Sequence, residues 1–126
     1  MPNELDTKNT SPAYLSGRMM AVLAEIQRRA NEGRELNAGI VDRYYTSASS
    51  SPALVIGRLV DLAQHHLANI KNRYATEKYE RMLSEISIML SGNGLPKTLS
   101  LEGKTEFALG FYYQKAHMYK DNVDRN

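Results

Sequence analysis

The chain has 126 residues, a length suited to one domain whose folding removes about two-thirds of the unfolded surface from water. Lys and Arg number 16 against 14 Asp and Glu, giving a formal charge of +2 and a pI near 8.9; this is no histone-like excess, so any nucleic-acid contact must come from local basic patches. The absence of cysteine excludes disulfide frameworks, thiolate zinc sites and a cysteine nucleophile, and it fits a reducing compartment, with the cytoplasm as default. The start MPNELDTKNT is polar, and no stretch approaches 18 uninterrupted apolar residues, so neither secretion nor a membrane span is expected.

Residues 1–10 read as a polar lead-in. Ser11-Pro12 then offers a cap followed by proline at the first helical position, and Leu15, Met19, Val22, Leu23, Ile26 and Ala30 recur at helical spacing. This predicts a helix over about 12–31, closed at Asn31-Glu32-Gly33. IVDRYYT, residues 40–46, has the pattern of one or two further turns. Ser51-Pro52 opens the strongest helix, about 52–71, with Val55, Leu59, Leu62, Ala63, His66, Leu67 and Ile70 on its apolar stripe. Arg58, Asp61, His65 and Asn69 fall on the opposite face.

A helix over about 73–91 carries the narrower stripe Ala75, Tyr79, Met82, Leu83, Ile86, Met89 and Leu90. Gly92-Asn93-Gly94 with Pro96 breaks the chain, and Ser100 can cap a last helix over about 101–120. There the apolar residues cover more than half the circumference, which requires more than one neighbour. Either this is the central helix, the favoured arrangement, or it packs on the core with one side and on another subunit with the other. No strand and no internal repeat is evident. The expectation is an all-α fold: a compact bundle of four main helices plus a short extra helical segment, one domain over 11–120 between the lead-in and a polar tail, 121–126.

The adjacent His65 and His66 point about 100° apart on a regular helix, so they do not form a metal pair. Asp61 and His65 do converge, but a metal site needs further ligands and the only other histidine is His117. His66 is expected to be a core histidine bonded to a neighbouring helix, and His65 a surface side chain partnered by Asp61. There is no Gly-rich phosphate loop, nucleophile elbow or His-Glu-x-x-His, and the carboxylates sit among basic residues at ion-pair spacing, as Glu25 does with Arg29. No catalytic residue, metal ligand or cofactor is assigned, and the chain is not expected to be an enzyme.

VDRYYTSASSSPALVIGR, residues 41–58, stands apart. Arg43, Tyr44 and Tyr45 join charge to aromatic faces, while Ser49, Ser50 and Ser51 lead into a helix N-terminus whose N–H groups can receive phosphate. Arg58 follows on the exposed face. Arginine offers phosphate a planar fork of donors and tyrosine can stack on an unpaired base, so the grouping suits a sugar-phosphate backbone. Capping serines and solvated arginines are also common in proteins that never meet nucleic acid.

The order Asp42-Arg43-Tyr44-Tyr45, Ala48, Pro52, Arg58-Leu59, Leu62-Ala63-Gln64-His65-His66-Leu67, Leu99-Ser100-Leu101 and Phe107-Ala108-Leu109-Gly110-Phe111-Tyr112-Tyr113-Gln114 resembles the C-terminal region of the type I-C CRISPR large subunit, from about Tyr14 to Lys115. In that family the region is also made separately, by internal translation, as the small subunit of the Cascade surveillance complex, and a short chain with its own Met1 fits that product. One departure stands out: where the family often has Gly-Tyr-Tyr-His-Gln, this chain has Gly110-Phe111-Tyr112-Tyr113-Gln114.

The resemblance implies a non-catalytic helical bundle in the inner belly of a crRNA-guided complex, stabilising the guide–target heteroduplex and the displaced DNA strand (the R-loop). Its implied partners are the backbone and large subunits, a second copy of itself, crRNA and target DNA. Such a subunit must tolerate every target, so it should contact backbone and charge. Arg43 and Arg58 are the leading contacts, and Arg28, Arg29, Lys71, Arg73, Tyr44, Ser50, Ser51 and His65 are further candidates. Tyr45 or Tyr44, at least one of them, is expected to pack instead of stacking. Two other readings remain: a helical adaptor that binds only protein, and a metal-dependent hydrolase built on Asp61 and His65.

Overall fold

In the computed structural model, which describes residues 4–31, 39–92 and 94–124, five helices follow one another: α1 (Pro12–Ala30), α2 (Ile40–Ser50), α3 (Pro52–Ala68), α4 (Arg73–Leu90) and α5 (Leu101–Asp124). Among the described residues there is no strand, and the all-α bundle of four long helices and one short one agrees with expectation. Pro12 and Pro52 occupy first-turn positions, where their missing N–H costs nothing. Capping is less uniform than the serines suggest. Ser11 and Ser51 stand at N-cap positions without a side-chain cap bond, whereas Asn72 accepts from the Ala75 N–H and Ser100 from the Gly103 N–H, at 3.1 Å each. The Ser11 hydroxyl donates instead to Glu106, tying the start of α1 to α5.

The centre of the bundle is α1, not α5 as the apolar arc of the last helix had favoured. Every residue from Ala13 to Leu23 is buried, and α1 packs on all four other helices, most extensively on α5. The cause is legible in PAYLSGRMMAVLA, residues 12–24, where Arg18 is the only charge. Its large residues are buried among the other helices, while Gly17 lies against α5. A Cβ on Gly17 would overlap the Phe107 carbonyl oxygen and one on Gly110 the Tyr14 carbonyl oxygen, both well inside the 3.0 Å that real Cβ atoms keep. The two helices therefore meet backbone to backbone through a reciprocal pair of glycines. Around this crossing Leu15, Met20, Leu23, Ile26, Phe107 and Met118 are sealed from solvent.

The other helices hang from this pair. α2 is longer than the expected turns and docks through Tyr45, whose ring meets Phe107 and Phe111 edge-on, with centroids 5.4 and 5.1 Å apart. On α3 the buried row is Pro52, Ile56, Leu59, Ala63 and Leu67, so the inward face is rotated from the expected stripe: Ile56 is fully enclosed, Leu62 is 41% exposed and His66 lies at the margin. α3 stops at Ala68 and α5 runs on to Asp124. The stripe expected for α4 holds, with Ala75, Tyr79, Ile86 and Leu90 buried. The turn after α4 uses left-handed glycines, Gly92 at φ 100° and Gly94 at φ 67°. The closure expected at Gly33 lies outside the described residues. No helix among those described is long and apolar enough to cross a membrane.

Replacing Gly17 or Gly110 with Ala should force α1 and α5 apart and cost about 3 kcal/mol or more, because the obstacle is backbone and cannot swing aside. Gly57→Ala in α3, where a Cβ meets nothing within 4 Å, should instead stabilise by about 0.5–1 kcal/mol. Urea unfolding of the three variants measures both signs.

Candidate functional site

The basic residues singled out above divide by their surroundings. Arg43 on α2 and Arg58 on α3 are exposed, as are Lys71 and Arg73 at the α3–α4 connection. Among the described residues no carboxylate lies within ion-pair distance of Arg43, Arg58 or Lys71. Arg73 reaches Glu77 at 3.3 Å, a solvent-exposed pair of small worth. Arg28 is held by Glu25 through its Nε at 3.0 Å, although the spacing had pointed to Arg29; Arg29 itself is half-buried. On α3, Leu54, Arg58, Asp61 and His65 form one outward row, with Arg58 and His65 about 10 Å apart along the axis. Arg43 and Tyr44, the latter 39% exposed, add charge and an aromatic face from α2.

The two tyrosines separate by burial. Tyr45 is a core anchor for α2, and burial, with Tyr112 adding to it, pushes its phenol above the usual pKa. Only Tyr44 is left with a ring open to a ligand.

The start of α3 offers phosphate less than its serines promised. The Ser51 N–H donates to the Ser47 carbonyl at 2.8 Å, Pro52 has no N–H, and the Ala53 N–H donates to the Pro96 carbonyl at 2.9 Å. Of the four leading donors only that of Leu54 remains. Ser49 is turned inward, its hydroxyl donating to the Thr46 carbonyl at 2.9 Å, and Ser50 and Ser51 are half-buried. Any phosphate contact here must therefore rest chiefly on the arginines.

The histidines also depart from expectation. Asp61 and His65 are both exposed and form no ion pair, and among the described residues no three His, Asp or Glu side chains converge on a point. His66 Nδ1 is buried with no hydrogen-bond partner, in place of the expected bond to a neighbouring helix. Burial, and secondarily His65, lowers its pKa. A cavity of about 360 Å³ between α1, α3 and the end of α4 is lined by Met19, Gly57, Val60, Leu90 and Leu95 with serines and glycines, and holds no titratable group.

Sequence reasoning missed the one buried cation among the described residues. Arg18, 6% exposed, donates through Nε to Gln114 Oε1 at 2.8 Å and through Nη1 to Met89 Sδ at 3.8 Å. The Gln114 amide in turn donates to Met82 Sδ at 3.9 Å. Burial lowers the Arg18 pKa, opposed by the fields of Tyr14, Glu85 and Asp6. This node joins α1, α4 and α5 and is structural. Its signal was present, a lone charge within the apolar run of α1 and a glutamine closing the stretch 107–114.

Against known proteins, the model of the family described as CRISPR-associated protein (Cas_Csd1) matches residues 1–119. No curated protein matches the chain.

Gln114→Leu should cost about 2–3 kcal/mol, because it strips a buried guanidinium of its main acceptor. Adding Arg18→Met should recover most of that loss, since the stranded charge goes too; a urea double-mutant cycle reads the coupling. A second prediction concerns pH. The folded-state pKa of His66 lies below its unfolded value near 6.5, so its contribution is full above that value and is lost as pH falls from there towards the folded pKa. His66→Gln should flatten the decline in stability that sets in as pH falls below about 6.5.

Proposed function

The chain belongs to the Cas_Csd1 family of CRISPR-associated proteins, and on that premise we propose that it is the non-catalytic small subunit of a type I-C Cascade surveillance complex. In this reading it sits in the inner belly of the crRNA-guided assembly, beside the backbone and large subunits and a second copy of itself. It steadies the guide–target heteroduplex and the displaced strand through contacts that ignore sequence. The match over residues 1–119 carries the proposal; the resemblance to the separately translated end of the type I-C large subunit supplies its finer terms.

The surface is consistent with this role. Arg43 and Arg58 are exposed and free of carboxylates among the described residues, with Tyr44 beside Arg43. Guanidinium groups held clear of the core can reach phosphate without disturbing the fold. Lys71 and Arg73 extend the positive surface, His65 shares the row of Arg58, and Ser50 and Ser51 offer hydroxyls. Arg28 and Arg29, engaged or half-buried, are the weaker members. The mild net charge fits a subunit positioned by neighbouring proteins, which needs only a few phosphate contacts.

A purely protein-binding adaptor is the rival reading, favoured by one observation: the outward apolar residues of α5. Co-purification with guide RNA separates the two. Replacing Arg43 and Arg58 together with Ala should weaken target-DNA binding by the assembled complex and lower the slope of log K against log salt by about one per arginine. The melting temperature of the isolated variant should not move. Unchanged binding and slope would remove both arginines from the interface.

A further inference from the structure

Arg18 is enclosed without a carboxylate: among the described residues none lies within ion-pair distance of it. Its strong acceptor is Gln114 Oε1, and its second partner is a thioether, Met89 Sδ, 3.8 Å from Nη1. The Gln114 amide is placed in the same way, with Met82 Sδ 3.9 Å from Nε2. Thioether sulfur is a weak acceptor, so both donors are underused. Met82 and Met89 stand two turns apart on α4 and therefore share one face, which meets Arg18 of α1 and Gln114 of α5. A leucine at either position would fill similar space and accept nothing.

The same two sulfurs differ from the other methionines among the described residues in access. Met82 and Met89 are half-buried, whereas Met19, Met20 and Met118 are at most 3% exposed. With hydrogen peroxide as oxidant, a sulfur lone pair attacks one peroxide oxygen, and an S–O bond forms as the O–O bond breaks. Sulfur is oxidised by two electrons, the peroxide is reduced, and the proton on the transferred oxygen passes to the departing one, which leaves as water. Ordinarily the polar oxygen so introduced disrupts a core. Here it meets donors already in place, and the unbranched methionine side chain can turn the oxygen towards them. A guanidinium N–H bonded to a full oxygen is charge-assisted and stronger than one bonded to sulfur. We propose that Met89, with Met82, is a sulfoxidation site whose oxygen is received by Arg18 and Gln114, so that peroxide holds the α4 seam closed where it would open an apolar core. This goes beyond the role proposed above and does not rest on it.

Peroxide treatment of the folded chain, with peptide mass spectrometry and urea unfolding, tests it. Met82 and Met89 should gain oxygen about tenfold or more faster than Met19, Met20 and Met118, which react only through opening of the fold. The urea midpoint of the wild-type chain oxidised at these two sites should hold or rise. In R18L/Q114L, which lacks both donors and is checked for folding by circular dichroism, the same oxidation should lower the midpoint by roughly 1 M. A second comparison needs neither peroxide nor that variant: M89Q, whose side-chain carbonyl stands in for the sulfoxide oxygen, should be at least as stable as M89L. Should R18L/Q114L fail to fold, that comparison decides. Oxidation that spares Met82 and Met89 or takes the sealed methionines equally fast, a midpoint that falls on oxidation of the wild type as far as in R18L/Q114L, or an M89Q less stable than M89L would each overturn the proposal.

Discussion

The structure depends on two glycines that allow two helix backbones to touch. With no Cβ at Gly17 or Gly110, α1 and α5 approach until each glycine lies against a main-chain carbonyl of the other helix, Phe107 and Tyr14 respectively. That closeness brings Arg18 within reach of Gln114, four residues beyond Gly110, and lets Tyr45 slot its ring edge against Phe107 and Phe111. It also explains why α1 is enclosed all round: with α5 pressed on one side, α3, α4 and α2 cover the rest. The buried Arg18 gains a neutral amide and a thioether rather than a carboxylate, an arrangement that fixes the register of three helices more than it adds stability.

With the interior devoted to packing, what the chain can do is confined to its surface. Two surfaces differ in kind. Helices α2 and α3 carry Arg43, Tyr44, Arg58 and His65 in the open, the side-chain types that meet a phosphate backbone without reading bases. The outer side of α5 carries Leu101, Tyr112 and Tyr119 edged by lysines and glutamates of mixed sign, the side-chain types that meet protein. The chain belongs to a CRISPR-associated family, and the proposed place within a guided assembly draws on this difference between its surfaces.

Much of the fold could be read from the sequence because helix punctuation is local. Pro12, Pro52, Gly92 and Ser100 each act within a turn of themselves, and the elements they delimit appear close to where periodicity placed them. The hierarchy of helices could not be read in the same way. A broad apolar arc on α5 has two physical causes, a central position or an outward interface, and period alone does not separate them; the small residues and single charge of α1 did carry the answer. At the candidate site, exposure of Arg58 followed from its helical face. The loss of phosphate-receiving N–H groups at α3 did not, because it depends on the Pro96 carbonyl, which is distant in sequence. His66 was misjudged for a related reason: the helix is rotated enough to leave it at the margin, without the neighbour its stripe implied.

The central claim is that this bundle works as a building block of a guided complex. Its most direct test is to express an affinity-tagged form of the chain with the large and backbone subunits and a CRISPR array, and to sequence the RNA in the purified assembly. The account predicts that crRNA and those subunits co-elute with the chain in fixed proportion. Recovery of the chain alone, with the guide complex assembling fully in its absence and binding target DNA equally well, would contradict it.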